Sequence, residues 1–118
     1  MVRMFGLGVA LMCLFIALSD ADAGTGEPKR WKRKVPKNSD VIYKIKYYVN
    51  QDAEFAVIGE GNTDVDIFVR DEAENEVTRD DALTDLALVR WRPSKTQVFT
   101  IIVRNLHNED NECYMGHN

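Results

Sequence analysis

From position 41 onward, apolar and polar residues alternate along most of the chain with a period of two. Val41, Tyr43, Ile45, Tyr47 and Val49 fall in one phase and Ile42, Lys44, Lys46 and Tyr48 in the other. In the stretch 64–70, Val65, Ile67 and Val69 alternate with Asp64, Asp66, Phe68 and Arg70. In 97–104, Phe99, Ile101 and Val103 alternate with Val98, Thr100, Ile102 and Arg104. Period two is the pattern of strands that lay one face on a core. Shorter strands are expected at 54–58, 76–78, 86–91 and 112–116. Between them stand the turn signals Asn50-Gln51-Asp52, Gly59-Glu60-Gly61, the polar run 71–75 and Arg92-Pro93-Ser94. The acidic stretch 79–85 is expected as a loop with room for one helical turn. No amphipathic helix competes, so the fold class is all-β, an antiparallel sandwich of about seven or eight strands.

The first forty residues follow another pattern. Arg3 is followed by an apolar run from 4 to 18, and Ala21 and Ala23 supply the small residues of a cleavage site. Residues 1–23 therefore read as a secretory signal, because the apolar run is shorter than the roughly 20 residues a span requires. Cleavage after Ala23 leaves 95 residues, one small domain with no membrane span, secreted or held in the periplasm or cell envelope. Cys13 leaves with the signal and only Cys113 remains. An intramolecular disulfide is then ruled out, and Cys113 is expected as a buried thiol.

Residues 24–39 read as a basic flexible arm ahead of a domain at 40–118. Positions 24–37 hold six Lys or Arg against one Glu, a net +5, whereas 38–118 hold eight against sixteen Asp or Glu, a net −8. Lys29, Arg30, Trp31, Lys32, Arg33 and Lys34 are the candidate contact for an extracellular polysaccharide, a protein or another anionic polymer. The plain alternative is a solubilising arm resting on the domain's own acidic surface. Oligomeric state is expected to be monomer or weak oligomer.

Taken together, several short motifs resemble the bacterial pre-peptidase C-terminal (PPC) domain. They are Thr63-Asp64-Val65-Asp66-Ile67-Phe68-Val69; then Asp71, Val77 and Asp80; then Thr84-Asp85, Val89, Trp91 and Pro93; and last Phe99, Ile101, Val103 and Asn105. The resemblance covers most of 40–118. It implies a secreted, jelly-roll-like sandwich, usually a non-catalytic appendage of extracellular hydrolases, some relatives binding calcium, collagen or polysaccharide. Two positions depart from the pattern: Glu74 stands where a hairpin glycine is expected, and His107 where the late loop often has glycine.

Catalytic chemistry finds little support. After residue 23 the only serines are Ser39 and Ser94 and the only histidines His107 and His117, with no nucleophile elbow, zinc-protease helix or phosphate loop. A small hydrolase would have to rely on paired carboxylates. Two metal readings remain. Asp64, Asp66, Asp71, Asp80 and Asp81 are candidate calcium ligands, since calcium takes about six to eight oxygens. The competing readings of these aspartates are hydrogen bonding to loop amides and Thr84, or plain solvation. The alternative to a binding or structural module is a copper-type site built from His107, Cys113, Met115 and His117. Phe68, Tyr48 and Trp91 are candidate sugar platforms, with packing as the ordinary alternative.

Overall fold

The computed structural model describes residues 15–22 by their backbone and 28–60 and 64–118 in full. Among the described residues nine strands make two sheets: β1 (Phe15–Asp22), β2 (Lys29–Val35), β3 (Ser39–Tyr47), β4 (Ala53–Ile58), β5 (Val65–Arg70), β6 (Glu76–Asp80), β7 (Leu86–Trp91), β8 (Gln97–Asn105) and β9 (Asn111–His117). The first sheet has the order β1-β3-β8-β5-β6 and the second β2-β9-β4-β7. Only β1 pairs in parallel, against β3; the other pairs are antiparallel. Of the expected signal, residues 1–14 and 23 lie outside the described residues, and Phe15–Asp22 is β1. No described helix is long and apolar enough to cross a membrane.

The alternation sets the core. Val41, Ile45 and Tyr47 of β3, Val65, Ile67 and Val69 of β5, and Phe99, Ile101 and Val103 of β8 point inward from the first sheet. Val35, Ala53, Phe55, Val57, Ala87, Val89, Cys113 and Met115 answer from the second. Each fully buried aliphatic or aromatic side chain contributes about 1.5–3 kcal/mol, so this interdigitation carries most of the stability. Trp91, on the inward phase of β7, packs edge-on against Tyr47 and Phe99.

The basic segment corrects the expectation of a flexible arm. Lys29–Val35 is strand β2, in register with all of β9 from Lys29 opposite His117 to Val35 opposite Asn111. Strand alternation explains why a chain so charged can join a sheet. Trp31, Arg33 and Val35 share the inward phase, with Val35 wholly buried and Trp31 packed against the core. The Trp31 indole N–H donates to the Tyr43 hydroxyl at 3.0 Å, and its ring meets Tyr43, Phe55 and His117 edge-on.

Three polar devices close the ends. Buried Asn105 donates through its amide to the carbonyls of Val35 (3.1 Å) and Glu109 (2.8 Å) and accepts from the His107 amide at 2.9 Å. It thereby ties β2 to the loop between β8 and β9. Asp80 accepts from the Leu88 amide at 2.9 Å, joining β6 of one sheet to β7 of the other. In the β5–β6 hairpin, Asp71 accepts from the amides of Ala73 (3.0 Å) and Asn75 (2.9 Å). Glu74 sits there at a φ of 66°, a left-handed conformation that glycine adopts without penalty. The segment 81–85 is a bend with no helical turn.

Candidate functional site

The two outer faces of the sandwich differ in chemistry. On the first sheet, Asp66 and Phe68 of β5 occupy the outward phase yet are only 5 % and 8 % exposed. The guanidinium groups of Arg79 and Arg104 each lie 4.9 Å from the Phe68 ring centre. Arg79 also forks onto Glu76 (2.7 and 2.8 Å) and reaches Asp81 (3.2 Å), and Arg104 forks onto Asp40 (2.8 and 3.0 Å). Phe68 is thus covered by cations and is no sugar platform; Trp91 packs inward, and the Lys46 ammonium lies over Tyr48.

Asp64 and Asp66 do lie side by side, as their spacing predicts, but the expected donors are elsewhere. The Oδ1 atoms of both are buried without a hydrogen-bond partner. The Thr84 hydroxyl donates to the Leu86 carbonyl at 2.7 Å, and the loop amides go to Asp71 and Asp80. Burial, reinforced by the charge of Asp64, a hydrogen bond with it and the charge of Asp81, pushes the Asp66 carboxyl up to about 6 against the pull of Arg104. A proton held between the two carboxyls relieves their repulsion.

The candidate calcium ligands are thereby separated by task. Asp64 and Asp66 form a pair, Asp71 folds a hairpin, Asp80 joins two sheets and Asp81 pairs with Arg79. Among the described residues no group of three or more His, Cys, Asp or Glu could hold a metal ion. The copper-type set is divided as well. Cys113, Met115 and His117 share the inward phase of β9, but His107 lies in the loop before Asn111, at the other end of the strand. Six residues of strand span about 20 Å. Burial pushes the Cys113 thiol up to about 12, helped by Asp85, Glu60 and Glu112, and lowers the His117 imidazole, which stacks on Phe55.

The second sheet has a different outer face. Register places Lys32, Tyr114, Ile58 and Leu86 in one cross-strand row and Arg30, Gly116, Ala56 and Leu88 in the next. Tyr114 is 60 % exposed, Leu86 56 %, Ile58 53 % and Leu88 38 %. Ala56 and Gly116 have no bulk to match these walls, and a groove of about 430 Å³ opens over them. Arg30 and Lys32, both on β2, stand on one side of it. Lys32 lies over the Tyr114 ring at 5.7 Å and 3.8 Å from Glu112. Of the basic residues singled out from sequence, Arg30, Lys32 and Lys34 face this surface, Lys29 heads the strand, and Trp31 and Arg33 turn inward. Ala56, Ile58, Leu86, Leu88, Tyr114 and Gly116 were not expected. The available signal is that Leu86 to Val89 is apolar in both phases, so one phase must face solvent or a partner.

No family model matches the chain, and no curated protein does. Solved structures do. The pre-peptidase C-terminal domain of a collagenase from Bacillus anthracis superposes with a TM-score of 0.65 at 11 % identity, covering 85 % of this chain and 95 % of that one. Aeromonas hydrophila PliG, a periplasmic inhibitor of g-type lysozyme, superposes with a TM-score of 0.60 at 10 % identity, covering 85 % and 98 %. The chain therefore has a PPC-like β-sandwich fold, as its motifs imply.

Proposed function

We propose that the chain is an exported, non-catalytic module that works by holding a protein partner on the outer face of its second sheet. The observation that carries this reading is the pair of cross-strand rows in which Ile58, Leu86, Leu88 and Tyr114 stand exposed around a small-residue floor. A contiguous exposed apolar surface of this kind marks an interaction site more often than scattered exposed residues do. Two structures of the same fold support the class, one the pre-peptidase C-terminal domain of a collagenase and the other a periplasmic inhibitor of g-type lysozyme. The exported compartment rests on reading residues 1–23 as a secretory signal, whose cleavage would remove β1 and leave β3 at the sheet edge.

The test is a photo-crosslinking residue placed at Tyr114, with a second at Thr78 on the other sheet, in cells that export the protein. Crosslinks to a defined envelope or extracellular protein from position 114, and none from 78, are the expected result. Crosslinks from neither position would end the reading. Because one neighbour inhibits g-type lysozyme, that enzyme acting on peptidoglycan is the first purified candidate to titrate with the protein.

A further inference from the structure

The groove has walls of different chemistry, and that difference constrains its occupant. One wall is cationic: Arg30 and Lys32 project from β2, followed along the same strand by Lys34. Lys32 and Lys34 have only long ion pairs, 3.8 Å to Glu112 and 4.0 Å to Asp110, between half-exposed side chains. Such pairs stabilise little and exchange readily. Arg30 has no ion pair among the described residues. The opposite side is apolar: Ala56 and Ile58 of β4 line the groove, and Leu88 and Leu86 of β7 lie one strand beyond them in register. Tyr114 stands at the end of the floor made by Ala56 and Gly116.

A sugar polymer fits this surface poorly. Hydroxyl-rich rings need amides, carboxylates or hydroxyls around a stacking platform, and the groove lining offers two cations, the Tyr114 hydroxyl and Trp31, whose indole N–H is already given to Tyr43. A uniformly charged polyanion would leave the aliphatic wall unused. The mixed walls suit a ligand that brings an apolar group and carboxylates on one extended segment. An apolar side chain placed on the floor loses water on three sides, which is where interface energy concentrates. The carboxylates of the same segment then meet Arg30 and the weakly paired Lys32 one strand away.

We infer that the groove takes an acidic, extended protein segment carrying one large apolar side chain. The side chain seats over Ala56 and Gly116 against the neighbouring row of Ile58 and Tyr114, and the flanking carboxylates pair with Arg30 and Lys32. This inference rests on the protein-partner reading above and names the chemistry of the segment that partner presents.

The test uses the purified protein and a labelled peptide with a Leu-Trp pair between two acidic dipeptides. Its controls are the same peptide with Asn and Gln in place of the acids, and the acidic peptide with Gly-Gly in place of Leu-Trp. Binding is followed by anisotropy and mapped by amide NMR shifts. Expected are shifts centred on Ala56, Ile58, Tyr114 and Gly116, with affinity at least about tenfold weaker for each control peptide. Arg30→Glu and Ala56→Arg should each weaken the acidic peptide by about tenfold or more, and Lys95→Glu by no more than about twofold. Arg30 is a surface residue, so its variant remains informative if Ala56→Arg does not fold. A heparin tetrasaccharide or phosphatidylglycerol vesicles that displace the peptide, with Leu-Trp dispensable, would make the face a polyanion surface and overturn the inference. Shifts elsewhere on the protein would also overturn it. A protein that crosslinks at position 114 but binds wild type and Arg30→Glu alike refutes the acidic segment and leaves the binding module standing. Absence of any crosslink removes the module itself.

Discussion

Replacing Asp66 with asparagine should stabilise the protein at neutral pH, although Asp66 is buried within strand β5. The side chain is 5 % exposed, its Oδ1 has no donor, and Asp64 and Asp81 add negative charge around it. The cations nearby are already committed, Arg104 to Asp40 and Arg79 to Glu76 and Asp81. The carboxyl is raised from 3.8 to about 6. Because the folded value is the higher one, the unfolded chain releases this proton first as pH rises. Asp66 therefore costs nothing below about pH 4, costs progressively more from there to about 6, and its full penalty persists above. A rise of about two pH units at about 1.4 kcal/mol each sets an upper bound of about 3 kcal/mol. Screening at the sheet surface reduces this to about 1–2 kcal/mol.

Asparagine removes the charge, keeps the shape, and offers an amide N–H to the unpartnered oxygen of Asp64. Thermal melts of wild type and Asp66→Asn at pH 4 and 7.5 form the assay. At pH 7.5 the variant should melt about 4 °C or more above wild type, since 1 kcal/mol moves a domain of this size by about 4–8 °C. At pH 4 the two curves should coincide to within about half a kcal/mol. A variant less stable than wild type at pH 7.5 would show that ionised Asp66 is held by Arg104 after all. A gain of equal size at both pH values would show that charge is not its cause.

Further outcomes follow from the polar devices and the core. Asn105→Ala should cost about 3 kcal/mol or more in a denaturant titration, because it opens a buried site and strands the carbonyls of Val35 and Glu109 and the His107 amide; a loss below about 1 kcal/mol would contradict the tie. Glu74→Gly should be neutral or stabilising by up to about 1 kcal/mol in the same titration, given the φ of 66°, and a clear loss would refute the strain. Cys113 should react with a thiol reagent at pH 8 only after unfolding, since it is wholly buried and its thiol is pushed up to about 12; rapid labelling of the native protein counts against this. The melting midpoint should be the same with calcium as with chelator, because the candidate ligands are spread over separate tasks and no three of the described residues gather as a metal site; a chelator-induced drop of several degrees would restore the calcium reading.

Much of the fold was readable along single strands. Val65, Ile67, Val69, Phe99, Ile101 and Val103 each declare the inward face by alternation alone, and all six are buried. The hairpin at 71–75 was marked by its polar run, and the glycine-like role of position 74 by the resemblance. What alternation does not report is the identity of a side chain's neighbours. Phe68 and Asp66 look solvent-facing from their phase, and only the arrival of Arg79 from β6 and Arg104 from β8 covers them. Donor assignment failed for the same reason: Thr84 is close to β5 through its backbone, accepting from the Val65 amide at 3.3 Å, while its hydroxyl turns to Leu86.

β2 is the most consequential difference between sequence and structure, because it changes what the basic residues are for. In a flexible arm, six cations form a diffuse field that any polyanion can use. In a strand, the same residues alternate, so Trp31, Arg33 and Val35 are committed inward and only every second residue faces the outer surface. Pairing with β9 then fixes Arg30 beside Gly116 and Lys32 beside Tyr114, and pairing of β9 with β4 places Ala56 and Ile58 one strand further on. Four segments that are far apart in sequence thus contribute one residue each to both of these cross-strand rows. No window of the sequence contains such a row, and no residue in it has a composition that announces a site. Charge spread along the chain becomes charge on one wall of a groove, which is the difference between attraction to any anion and selection of a ligand with both acidic and apolar parts.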